Sequence, residues 1–165
     1  MKAAELYGFI CVVFALFFAV ALPLVTLLNR AIGKAYDDKA RALEGILATE
    51  GVRFAEDDVS IRGTWIAPLA FGVRWTRANV RVTGRAIYLM QSTRFLGKRM
   101  GQPIIALPLR GAVLDPRAVG LVTLGWLETY PREEDGAVTL RGGLGAQRFT
   151  MRVSVRDVAG FLRCS

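Results

Sequence analysis

The sequence predicts an α+β chain that is mainly β: one transmembrane helix, then a seven-stranded antiparallel barrel or sandwich closed by a C-terminal helix. Three observations lead there. Leu6 to Leu28 contains no charged residue, apolar positions then recur at three and four residues as far as Glu50, and beyond Gly51 the period drops to two. This divides the chain into an anchor (1–29), a juxtamembrane helix (30–50) and a β domain (51–165), the last long enough to form a core without disulfides or metal.

The anchor comes first. A bilayer core of about 30 Å needs about 20 apolar helical residues, and the run from Leu6 slightly exceeds that. Ala19-Val20-Ala21 has the small-x-small form of a signal-peptide cleavage site. A permanent span is the preferred reading, because Lys2 is the only cation before the run and the apolar residues continue well past Ala21. Pro23 removes a helical hydrogen bond and predicts a bend near the helix end. Arg30, Lys34, Lys39 and Arg41 closely follow the span, so the positive-inside rule places the C-terminal domain in the cytoplasm.

Between Arg30 and Glu50 the stripe Ile32, Tyr36, Ala40, Leu43 and Leu47 has the helical period, and Gly51 suits a C-cap. Two heptads are too few to specify a coiled coil, so packing onto the domain is favoured over pairing with a second copy. Ala15 and Ala19 add only a weak small-xxx-small signal for a homodimer.

Strands are expected over Val59–Ile66, Gly72–Val82, Ala86–Gln91, Pro103–Leu109, Leu121–Tyr130, Ala137–Arg141 and Gln147–Val153, all antiparallel, with the prolines giving Pro103–Leu109 an edge position. Turns fall at Thr83–Arg85, Pro131–Gly136 and Gly142–Gly145. Ser154 followed by Asp157 resembles a capping box, and Val155, Val158, Ala159 and Leu162 share one face of a closing helix of about three turns.

Charge is unevenly placed. The first fifty residues hold five Lys/Arg and five Asp/Glu, so the whole net charge of +8 belongs to the β domain. A basic domain beside a bilayer points to anionic headgroups before nucleic acid. There is no histidine, and the two cysteines, Cys11 in the span and Cys164 near the end, form no disulfide framework. No phosphate-binding loop, G-x-S-x-G or nucleophile with a base occurs, so no enzyme activity, metal or cofactor is expected. Trp65, Trp75 and Trp126 sit at core-like strand positions, unlike the exposed aromatics of single-strand nucleic-acid binders; no nucleic-acid partner is expected.

VRVTGRAIYLMQ (80–91), IIALPLRGAVL (104–114) and SVRDVAGFL (154–162) resemble the strand-turn-strand, Leu-Pro-Leu strand and closing helix of the pleckstrin-homology-like fold in its bacterial PH and GRAM-type forms. The resemblance covers about residues 51 to 163. It implies that the helix plugs one barrel end, while the loops near 67–71, 92–102 and 142–146 gather at the other, away from the acidic turn Glu133-Glu134-Asp135. The implied lipid- or ligand-binding cations are Arg62, Arg74, Arg77, Arg94, Lys98, Arg99, Arg141 and Arg148. Leu69, Phe71, Phe95, Leu96 and Met100 would be the apolar membrane contacts. Two functions are thus expected to compete: a membrane-anchored module contacting anionic lipid or a membrane-proximal ligand, and an accessory subunit docking a membrane-protein partner.

Overall fold

The computed structural model describes residues 3–64, 77–92, 94–95, 98–99 and 104–165, with the side chains of these except 3–9, 29, 32, 64, 91, 94–95 and 98–99. Helix α1 (Ala3–Glu50) runs unbroken through both the apolar run and the amphipathic stretch, so anchor and juxtamembrane helix are one element of 48 residues. At 1.5 Å per residue it is about 72 Å long. Pro23 lies inside it, and Thr26 Oγ1 donates to the carbonyls of Leu22 and Pro23. Gly51, with φ of +83°, donates its N–H to the Leu47 carbonyl at 3.1 Å and ends the helix. Most side chains from Ile10 to Leu28 are exposed on this apolar stretch, which is long enough to cross a membrane.

Among the described residues ten strands follow: β1 (Val52–Thr64), β2 (Arg77–Thr83), β3 (Ala86–Gln91), β4 (Arg94–Phe95), β5 (Lys98–Arg99), β6 (Ile105–Pro108), β7 (Thr123–Leu127), β8 (Arg132–Glu134), β9 (Ala137–Leu144) and β10 (Gln147–Ser154). The order β10-β1-β2-β3-β6-β7-β9 closes into a seven-stranded barrel through pairing of β9 with β10. β8 continues along the flank of β9 that β7 occupies further on, so β7 and β8 act as one interrupted strand. β4 and β5 form a separate two-residue ladder.

Several expectations need correction. β1 starts seven residues before Val59, hidden from sequence because register shifts near Val52–Phe54 and Glu56–Val59, with Asp58 at φ of 57°, break the alternation. Residues 65–76, part of two expected strands, lie outside the described residues. β8 extends into the stretch read as the turn 131–136, leaving Asp135 and Gly136, both at positive φ, as a two-residue hairpin turn. β9 runs through Gly142–Leu144. Ser154 belongs to β10 and pairs with Ser60; Asp157 caps α3 (Val158–Cys164) by accepting from the Gly160 N–H at 2.7 Å, and α3 is two turns rather than three.

The pairing is not antiparallel throughout. β6 and β7 run parallel, joined by a crossover carrying the short helix α2 (Pro116–Val119), which Asp115 caps and Pro116 opens. Their ladder stops after Ile105–Thr123 and Ala106–Leu124. Pro108 explains the stop. Leu109 donates to Arg85 of the β3 side at 2.8 Å, so by alternation residue 108 addresses β7. There proline has no N–H to carry the ladder on. β6 is therefore an interior strand of the barrel, not the expected edge, and Pro108 stands where its β7 side becomes unpaired.

Two apolar clusters hold the molecule together. Inside the barrel, Val80, Val82, Ile87, Leu89, Ile105, Leu107, Leu140, Met151 and Val153 are buried, and Phe161 of α3 joins them. Its ring meets Phe54 edge-on at 5.4 Å, so α3 plugs the barrel. Outside, Tyr36, Ala40, Leu43 and Leu47 of α1 pack on Ala86, Tyr88, Met90, Ile104 and Ala106, with Leu114 and Ala118 from the crossover. The amphipathic stripe thus folds back on the domain as expected, and β3 is buried on both faces. Burying a leucine contributes about 1.5–3 kcal/mol, so Leu43 and Leu47 alone fix the helix firmly to the barrel.

Candidate functional site

The barrel has two distinct ends. At one end lie Glu50, the Gly84 turn and α3; we call it the distal end. Strand directions put the end of β1, the start of β2, the end of β3, Ile104 and the 145–146 turn together at the opposite end. Helix α1 starts down the barrel at Glu50, 3.7 Å from Arg85 at the distal end, and touches β5 at the other. Its apolar half therefore emerges past this opposite end. Among the described side chains Tyr36 is the first buried one of α1, and Leu28 lies eight residues, about 12 Å, beyond it. This gap is close to the Debye length of about 8–10 Å, so charges on this end act on whatever surface surrounds Leu28.

The cations expected from sequence are placed as follows. Arg62 is exposed near the end of β1, opposite Arg152. Arg77 opens β2 and pairs with Asp58. Arg94 stands opposite Arg99, and Phe95 opposite Lys98, in the β4–β5 ladder. Arg148 lies one residue from the 145–146 turn and pairs with Glu128 at 3.1 Å. Arg141 instead turns along the barrel flank to Glu134 at 3.0 Å. The acidic turn itself lies at the start of β9, at the opposite end of that strand from the 145–146 turn, and Glu134 and Asp135 also engage Arg152 on the flank. Arg74, Leu69, Phe71, Leu96 and Met100 lie outside the described residues.

Trp126 corrects a second expectation. It is 40% exposed on the outer face of β7, with the Arg148 guanidinium 6.0 Å above its ring, and is not a core residue. Gly143, its partner on β9, leaves room for the ring: a Cβ there would lie 2.5 Å from it. The Trp–Gly pairing was the available signal, but it depends on a strand register that the sequence does not reveal.

Sequence reasoning also missed a polar cluster at the distal end. Glu50 is only 6% exposed in its side chain, and among the described residues neither its oxygens nor the Tyr88 hydroxyl has a hydrogen-bond partner. Burial, with the Glu50 charge beside it, pushes the Tyr88 phenol up to about 12. Asp115 binds Arg117 through side chain and backbone, at 2.7 Å and 2.8 Å, which holds its carboxyl down at about 2. Next to this cluster an open cleft of about 620 Å³ is lined by Gly84, Arg85, Arg110, Gly111, Leu114 and neighbours. Two segments distant in sequence, 84–85 and 110–116, line it, so no local motif announced it.

No protein-family model, curated protein or solved structure matches this chain. Among the described residues no group of His, Cys, Asp and Glu is placed to hold a metal ion.

Proposed function

We propose that the chain is a single-pass, membrane-anchored binding module of PH-like type, whose basic barrel end contacts anionic lipid headgroups beside its own anchor. The barrel of seven strands plugged by a C-terminal helix supports the PH-like reading. One observation carries the function: α1 is continuous and packed on the barrel through Tyr36, Ala40, Leu43 and Leu47, so the barrel end opposite Glu50 faces the apolar segment. Anchor and domain then act as one body. The domain needs little affinity of its own, because the anchor supplies a high local concentration.

Arg62, Arg74, Arg77, Arg94, Lys98 and Arg99 are the headgroup contacts in this reading. Each contributes on the order of 1 kcal/mol near an anionic surface. Exposed ion pairs such as Arg77–Asp58 are worth about 0.2–1 kcal/mol, so arginines held in them can exchange a carboxylate for a phosphate at small cost. In cells the domain faces the cytoplasm from the inner membrane of a bacterium, following the cations after the span.

The test uses residues 30–165, which keep the packed part of α1. The fragment should sediment with vesicles containing anionic lipid, release with added salt, and lose binding when Arg62, Arg74, Lys98 and Arg99 are replaced together by glutamine. Binding that ignores both salt and the replacements would overturn the reading.

A further inference from the structure

The distal cleft carries an inference independent of the lipid reading. We propose that it is a binding site for a phosphomonoester, built from Arg85 and Arg110 and flanked by Arg53 and Arg117. Arg85 and Arg110 line the cleft directly. Arg53 lies against its Gly84 wall, where a Cβ would stand 2.7 Å from the guanidinium. Arg117 follows Pro116 on the cleft's far side and is held in place by Asp115.

Charge selects the ligand class. Among the described residues the acids of this cluster are Glu50, beside Arg85, and Asp115, on Arg117, so four guanidiniums face two carboxylates. The excess of two positive charges matches the −1.5 to −2 that a phosphomonoester carries at neutral pH and exceeds the need of a single carboxylate. Guanidinium forks also suit phosphate oxygens, which they bind in pairs. Among the described residues no ion pair engages Arg53 or Arg110, so both can turn to a ligand without losing a partner there. A volume of about 620 Å³ falls in the range of small-molecule sites, roughly 300–1,000 Å³.

Position narrows the source. Leu28 lies 22 residues, about 33 Å, up the helix from Glu50, so with the apolar run in a bilayer, as proposed above, the cleft lies at the barrel end remote from that bilayer. The phosphate ester comes from solution or from a second, apposed membrane.

The experiment uses the full chain in nanodiscs of neutral lipid. Glycerol 3-phosphate is titrated while the amide signals of Gly84 and Gly111 are followed, and neutral vesicles with and without phosphatidic acid are added in a separate arm. Saturable shifts at both glycines, weakened about tenfold or more by Arg110→Gln and unchanged by Arg132→Gln on β8, are expected. Recruitment of phosphatidic acid vesicles alone, with the same loss in Arg110→Gln, assigns the phosphate to an apposed membrane. Arg110 is exposed, so the variant keeps its fold, which far-UV circular dichroism checks. Absence of binding in both arms, equal binding by Arg110→Gln, or equal response to acetate would overturn the proposal.

Discussion

Arg85 Nη1 lies 3.7 Å from Glu50 Oε1, tying the β2–β3 turn to the last residue of the helix that carries the anchor. The contact is too long for a hydrogen bond, and the carboxylate is buried while the arginine is half exposed. Glu50 thus acts chiefly through its charge, and Tyr88 registers it: after burial, that charge is the largest influence holding the phenol proton on. Glu50→Gln should move the Tyr88 titration down from about 12, yet leave it above 10 because burial persists. Absorbance at 295 nm against pH, with Tyr88→Phe subtracted, measures this. An unmoved midpoint would show that the carboxylate does not act on the phenol.

The same phenol makes stability depend on pH at the alkaline end. In the unfolded chain a tyrosine ionises near 10, whereas folded Tyr88 keeps its proton to about 12. Between those values the unfolded state has released a proton that the native state retains, so unfolding gains with rising pH. The contribution is complete below pH 10 and is lost between 10 and 12. Tyr88→Phe should lose less stability than the parent over this window in denaturant titrations. Near neutral pH it should stay within about 1 kcal/mol of the parent, since the hydroxyl it removes has no partner.

Leu43 tests the attachment of α1. It is fully buried between helix and barrel, so Leu43→Ala should cost about 2–5 kcal/mol in unfolding of the full chain in detergent. Leu24→Ala, 64% exposed on the apolar half of the same helix, should cost far less. For the same reason residues 51–165 alone should aggregate where 30–165 stay monomeric. Cutting at Gly51 bares Ala86, Tyr88, Met90 and Ala106, a surface that α1 covers.

What could be read from sequence follows the range of the interaction involved. The long apolar helix, the stripe from Tyr36 to Leu47, the Gly51 cap and strand β3 depend on local spacing, and the sequence carries them openly. The first half of β1 was hidden because its bulge destroys the alternation that marks a strand. The parallel β6–β7 pair, the outward position of Trp126 and the meeting of Arg53, Arg85, Arg110 and Arg117 depend on contacts between distant segments. Cations were easy to find, but which of them carboxylates had already engaged was not: Arg141 and Arg77 read alike in sequence, and each proves to hold an acid across strands.

Gly142 tests the β7–β9 seam of the barrel wall. It sits on β9 opposite Leu127 of β7, and a Cβ there would lie 1.9 Å from the Trp126 carbonyl oxygen. That oxygen belongs to backbone and cannot rotate aside, so Gly142→Ala must push β7 off β9. The displacement strains the β7–β9 ladder and disturbs Trp126, which faces Arg148 on the outer surface. The expected cost is about 1–3 kcal/mol, the usual range for overpacking, with lost amide protection at Trp126 and Glu128 in hydrogen exchange. Gly120→Ala is the matched control, because Gly120 has helical φ and nothing within 4 Å of its added Cβ. It should leave stability unchanged or raise it slightly, since alanine restricts the unfolded chain more than glycine does. Equal effects of the two replacements would mean that β7 can shift freely and that the barrel is not held closed at this seam.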